Sequence, residues 1–163
     1  MLEITNITKT FNAKTVNERI ALNNISLHLD DRDFVTVIGG NGASKSTLLN
    51  AIAGVWPVEH GNITIDGTDI TGMQEHKLAA MLGRVFQDPM MGTAATMQIE
   101  ENLALAAGKG GWLSHVSHKD KLEFREKLAQ LDMGLEDRMN QPVGLLSGGQ
   151  RQALTLVMAT YNP

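Results

Sequence analysis

The sequence predicts an α/β fold in which a buried strand feeds a phosphate-binding loop, with an antiparallel β-lobe before it and a helical lobe after it. Three observations carry this. Phe34-Val35-Thr36-Val37-Ile38 is a continuous β-prone apolar run, the pattern of a strand covered on both faces. It leads directly into a glycine-rich loop, residues 39–47 (GGNGASKST), behind which Leu48, Leu49 and Ile52 fall at helical spacing until Gly54. The early part is strand-patterned, whereas residues 97–160 are helix-patterned.

The elements follow in order. Leu2, Ile4 and Ile7 are set among polar residues, and Ile25, Leu27 and Leu29 alternate with polar neighbours, so both segments read as half-buried strands of an antiparallel unit. The strand Phe34–Ile38, the loop and a helix from Lys45 to Ala53 come next. Asn62 to Ile65 followed by Asp66-Gly67 reads as a strand and hairpin turn. A short helix is expected from Glu75 to Leu82, and a short strand at Arg84-Val85-Phe86. Helices are expected over Ile99–Ala107 and Lys119–Leu131, separated by a glycine-rich loop at Gly108 to Gly111, and a last helix starts near Ser147 and runs through Leu154, Leu156 and Met158. The 163 residues suit one domain, with residues 1–92 as β-lobe and phosphate-loop core and 93–163 as helical lobe.

Composition narrows the function. Fourteen basic against 18 acidic residues give a net charge of −4, which offers no electrostatic case for nucleic acid as a partner. No apolar run approaches the ~20 residues that span a bilayer. Met1-Leu2-Glu3-Ile4-Thr5 lacks the basic start and apolar stretch of a signal peptide. With no cysteine, disulfides, thiolate metal sites and cysteine nucleophiles are excluded, and a reducing compartment is compatible.

The loop at 39–47 is suited to phosphate. Glycines let successive backbone N–H groups turn toward one anion, and the helix N-terminus behind them adds favourable potential. The consensus for such loops, G-x-x-x-x-G-K-[ST], is met except that Ser44 stands where the second glycine belongs. In a loop that needs φ > 0 there, an L-residue is strained by roughly 1–2 kcal/mol. Lys45 is placed for the β- and γ-phosphates and Ser46 for Mg²⁺. A second anion site is expected at Leu146-Ser147-Gly148-Gly149-Gln150, where a serine and two glycine N–H groups open a helix.

Together these two motifs resemble the nucleotide-binding subunit of ATP-binding cassette (ABC) transporters. The resemblance implies a P-loop NTPase fold of the ABC ATPase type: a RecA-like core, an antiparallel β-lobe and a helical lobe carrying the signature LSGGQ. It implies ATP held by Gly39, Asn41, Gly42, Ala43, Ser44, Lys45, Ser46 and Thr47, the last touching the α-phosphate, with adenine stacked on Phe11. Gln87, in Val85-Phe86-Gln87-Asp88-Pro89, matches the family's Q-loop, with a catalytic role and a share in Mg²⁺ through Gln87 and Ser46. Ser147, Gly148, Gly149 and Gln150 would face the ATP of a second ATP-binding subunit, giving a homodimer. Residues Met90 to Thr96 would meet a transmembrane permease at the cytoplasmic face of the membrane. The run GRVFQDPMMGTAATM is similar to importer ATPases of the amino-acid (tryptophan/tyrosine-type) class.

The same resemblance sets expectations that the sequence does not meet. The family carries catalytic carboxylates on an apolar strand ending in Asp-Glu after the signature, and a switch histidine further on. No such run occurs in these 163 residues, and all five histidines precede the signature. The resemblance therefore spans about two thirds of the family's domain, and the chain is expected to be truncated and inactive by itself. A non-catalytic copy that binds nucleotide weakly or only pairs with a partner is the alternative reading. A P-loop kinase or GTPase is disfavoured by LSGGQ and by the absence of an Asn-Lys-x-Asp motif. Arg32, where many members have glycine, is expected to sit in a type I turn. The remaining polar and sulfur residues are expected to be bland: His115 and His118 solvated, Met90-Met91 core or interface filler, Glu100-Glu101 a solvated helix start.

Overall fold

The computed structural model describes residues 1–109 and 116–161. It divides into two compact units, Met1–Ala79 and Ala80–Pro163. Residues 94–98 are tied to a helix of the second unit, as described below.

The first unit is built on an antiparallel sheet. Its elements are β1 (Leu2–Phe11), β2 (Arg19–Leu29), α1 (Lys45–Ile52), β3 (His60–Ile65), β4 (Thr68–Asp69) and α2 (Glu75–Leu78). The strand order is β2-β1-β3-β4. Ile4, Ile7, Leu22, Ile63, Ile70, Ala51 and Leu78 are buried. The alternation read from the sequence is broken three times. Between Ile4↔Leu27 and Ile7↔Ile25, β1 carries one extra residue; between Ile7↔Ile25 and Lys9↔Leu22, β2 does. Each of these two bulges holds an asparagine in the left-handed region, Asn6 (φ 50°) and Asn24 (φ 54°), the residue type that tolerates it best after glycine; a third irregularity, between Lys9↔Leu22 and Thr10↔Ile20, again adds a residue to β2. The second bulge offsets the first, so Ile7 and Leu22 both stay on the buried face.

Two expectations fail in this unit. Phe34–Ile38 forms no strand and is exposed, Phe34 at 93% and Ile38 at 91%. A parallel-type strand persists only when neighbours satisfy its backbone N–H and C=O groups and cover its faces. Among the described residues none supplies that ladder. Arg32 is not in a type I turn. Its φ is 71°, in a turn closed by Asp33 N–H donating to Asp30 C=O at 3.2 Å, so it occupies the left-handed position that glycine prefers.

The second unit is helical: α3 (Ile99–Ala106), α4 (His118–Ala129), a 3₁₀ turn (Val143–Leu145) and α5 (Gly148–Ala159). Ile99, Leu103, Phe124, Leu128, Leu135, Val143, Leu146 and Leu154 form its core. The helices match the expected ones within two residues at each end, the ordinary uncertainty of helix termini, whereas α2 stops four residues short of Leu82. Ser117 caps α4 reciprocally: its Oγ accepts Asp120 N–H at 3.2 Å, and Asp120 Oδ2 accepts Ser117 N–H at 3.2 Å.

Two further expectations are corrected here. Arg84-Val85-Phe86 is not a strand. Instead the Arg84 guanidinium lies 4.5 Å from the Phe86 ring centroid. Glu100 is not solvated but buried, with Lys121 Nζ 2.9 Å from its Oε1. Met90 and Met91 are exposed, which leaves them available as interface filler. Gly110, Gly111 and His115 lie outside the described residues. Among the described residues, no helix is long and apolar enough to cross a membrane, and no group of three or more His, Asp or Glu could hold a metal ion.

Candidate functional site

The glycine loop lies in the first unit, between β2 and α1. Gly42 has φ 82° and Ser44 φ 60°, ψ 18°, so the chain visits the left-handed region twice within three residues before the helix begins. Ser44 is the residue that caps α1. Its side chain makes no capping hydrogen bond, and its C=O accepts Leu48 N–H at 3.0 Å. The position therefore asks for glycine and holds serine. Gly39, Gly40, Asn41, Gly42, Ala43 and Ser46 are exposed, whereas Ser44, Lys45 and Thr47 are partly covered. Lys45 turns back over the loop, and its Nζ donates to Gly39 O at 2.6 Å and Gly40 O at 2.9 Å. Two of the three ammonium N–H donors are thus engaged by the loop itself.

Phe11 ends β1 and meets Trp56 edge-on, with ring centroids 5.5 Å apart and planes at 88°. Beside it, Lys9 is buried and held by Pro57 O at 2.7 Å and Glu59 Oε1 at 2.8 Å; Glu59 Oε2 also accepts Thr10 N–H at 2.7 Å. This network fixes the end of the strand from which Phe11 projects. Across the ladder, Phe11 pairs with Arg19, whose Nη2 donates to Gly42 O at 2.5 Å. Arg19 thus connects the aromatic and the glycine loop. No motif pointed to it, because its role depends on a strand register that only pairing sets.

The remaining candidates lie in the second unit. Gln87 is exposed and precedes a turn in which Asp88 Oδ1 accepts Met90 N–H at 2.9 Å. Ser147 caps α5: its Oγ accepts Gln150 N–H at 3.3 Å, and Gln150 Oε1 accepts Ser147 N–H at 3.1 Å. Gly148 and Gly149 form the first turn without positive φ, and a Cβ on either would meet nothing within 4 Å. Neither backbone conformation nor packing within the chain requires glycine there, although each glycine costs a helix roughly 1 kcal/mol against alanine. The open space suits a group arriving from outside.

Arg151 was not anticipated. A cation in the first turns of a helix opposes the dipole, and that mismatch was the available signal. Its Nη2 donates to the carbonyls of Val143, Gly144 and Leu146 at 3.3, 3.1 and 3.3 Å, and its Nη1 contacts Met90 Sδ. It joins the Gln87 turn to the start of α5. Asn102 anchors the segment beyond that turn, through four hydrogen bonds to Ala94, Met97 and Gln98.

Ser46, in the first unit, carries a hydroxyl and Gln87, in the second, an amide oxygen, each a neutral hard donor of the kind Mg²⁺ accepts. Ser46 is exposed in the first turn of α1, which leaves its hydroxyl accessible.

The family model described as ABC transporter matches residues 22–163. The tyrosine transport ATP-binding protein of Clostridioides difficile (strain R20291) is 39% identical over 163 residues, covering 98% of this chain and 64% of that protein. The methionine import ATP-binding protein MetN of Corynebacterium diphtheriae is 34% identical over 166 residues, covering 99% of this chain and 46% of MetN. The chain thus spans less than two thirds of the length of these curated relatives. Among solved structures, the dimeric post-hydrolysis state of the ATP-binding cassette MJ0796 bound to ADP and Pi superimposes with a TM-score of 0.83 at 25% identity, covering 99% of this chain and 70% of that one.

Proposed function

The chain belongs to the ABC transporter family, with the fold of its ATPase cassettes, and from that premise we propose that its 163 residues bind Mg-ATP as part of an importer's ATP-binding subunit. The observation that carries the reading is the loop itself: left-handed backbone at Gly42 and Ser44 delivers Lys45, Ser46 and Thr47 to the N-terminus of α1. Phe11 is the platform for adenine, Lys45 the phosphate cation, and Ser46 with Gln87 the protein's oxygen donors toward Mg²⁺, which supplies charge neutralisation at the phosphates when bound. Gly39, Asn41, Ala43 and Ser44 contribute backbone to the cradle.

Ser147, Gly148, Gly149 and Gln150 are read as the contact with ATP held by a second copy. The space above both glycines supports this, as does the dimeric state of the MJ0796 cassette. Exposed Met90 and Met91 suit an interface with a permease at the cytoplasmic face of a membrane. The names of the C. difficile and MetN relatives support amino-acid import as the transport class. Hydrolysis is assigned to the whole protein, since the catalytic carboxylate strand of the family has no counterpart in these residues. A second reading, a weak nucleotide binder that chiefly pairs with a partner, is favoured by Ser44 in the left-handed region.

Titration of Mg-ATP into the chain and its Lys45→Ala variant tests the proposal. Saturable binding that falls at least tenfold in the variant supports it, since charge-assisted contacts to phosphate are worth about that much or more. No binding, or binding indifferent to Lys45, would overturn it.

A further inference from the structure

We propose that Arg19 is an additional nucleotide-binding residue, gripping the phosphate chain of a nucleoside di- or triphosphate between the base platform and the glycine loop. The inference rests on the reading of 39–47 as a nucleotide site and adds a residue to it. Arg19 opens β2 directly opposite Phe11, the last residue of β1. Its Nη2 reaches Gly42 O at 2.5 Å, in the middle of the loop. The guanidinium is thereby held on the route from the aromatic to the loop. A nucleotide is strung in the fixed order base, ribose, phosphates. With its base on Phe11 and its terminal phosphates in the loop, the phosphate nearest the ribose passes Arg19.

Charge and donor count agree. Arg19 is exposed, and among the described residues no carboxylate pairs with it. A guanidinium has five N–H donors in a planar fork that matches phosphate oxygens. One donor reaches Gly42 O, which orients the fork and leaves the others available. Lys45, the other cation on the loop, is engaged with Gly39 O and Gly40 O at the opposite end of the glycine run. The two cations therefore address different ends of the cradle: Lys45 the distal phosphates, Arg19 the phosphate beside the ribose. Because ATP and ADP share that phosphate, both should depend on Arg19 alike.

Calorimetric titration of the full 163-residue chain with Mg-ATP and with ADP, at low and at high salt, tests this against Arg19→Gln, Arg19→Lys and Lys45→Ala. Glutamine keeps a donor for Gly42 O and removes the charge. The expected result is about a tenfold loss for both nucleotides in Arg19→Gln, a smaller loss in Arg19→Lys, and a weaker dependence on salt in the glutamine variant. Unchanged affinity in Arg19→Gln, or equal losses in both variants with an unchanged salt dependence, would make Arg19 a clamp on the loop and overturn the proposal. Binding that needs Lys45 but not Arg19 would sink this inference alone. Absence of binding by the unsubstituted chain would sink it together with the reading on which it rests.

Discussion

Asn102 holds both backbone polar groups of Ala94: its Oδ1 accepts Ala94 N–H at 2.8 Å and its Nδ2 donates to Ala94 O at 3.1 Å. The same amide nitrogen also reaches Gln98 O at 2.9 Å and Met97 O at 3.4 Å, and the side chain is 1% exposed. A core helix thereby carries the loop that follows the Gln87 turn. Removing the amide leaves buried backbone groups unsatisfied, at about 1–3 kcal/mol for each group stranded. Asn102→Leu, which keeps the branching and heavy-atom count but removes every polar atom, should destabilise the chain by about 2–4 kcal/mol in chemical denaturation. A loss below 0.5 kcal/mol would mean that water or a neighbour takes over the bonds.

Ser44 shows a conflict between residue and conformation. At φ 60° it lacks even a side-chain capping bond to offset the strain. Ser44→Gly should relieve roughly 1–2 kcal/mol and raise Mg-ATP affinity about five- to thirtyfold if the strain is felt mainly in the bound loop. If it is felt equally in the free loop, thermal stability rises instead and affinity stays level. Neither change appearing would show that serine is accommodated at no cost.

Asp120 has a pH signature. The Lys109 ammonium, 2.5 Å from its Oδ1, and the Ser117 hydroxyl lower its pKa from 3.8 to about 2. The folded pKa lies below the unfolded one, so the contribution is fully present above pH 3.8 and is lost as pH falls toward 2. Carboxyl carbon shifts followed by NMR should report that midpoint. Lys109→Met should move it upward, and an unmoved midpoint would assign the depression to Ser117 alone.

The run from Phe34 to Ile38 supplies a prediction at the level of backbone. Its apolar side chains are exposed and it forms no strand. Amide hydrogens of Val35, Thr36 and Val37 should exchange at rates near those of an unstructured peptide. Protection comparable to that of Ile4 and Ile63 in the sheet would show that the run is paired after all.

Much of the local geometry of the candidate site was legible in the residues. The glycine loop, Lys45, the Ser147 cap and the start of α5 are local features, set by backbone conformation and by hydrogen bonds spanning three or four residues, so their spacing in the chain encodes them. The left-handed conformation at position 44 follows from the same local logic. The antiparallel strands were legible too, because one buried face leaves an alternating pattern.

Tertiary structure alone decided the rest. The bulges at Asn6 and Asn24 and the pairing of Phe11 with Arg19 depend on strand register, which joins residues far apart in sequence and leaves no motif. Arg151 and Asn102 owe their roles to carbonyls brought together by packing around α3 and α5. The apolar run at Phe34–Ile38 shows the converse: five β-prone residues state a preference, but a strand exists only where neighbours complete its hydrogen bonds. Sequence determined the chemistry that each segment offers; the assembled fold decided which of those offers meet a partner.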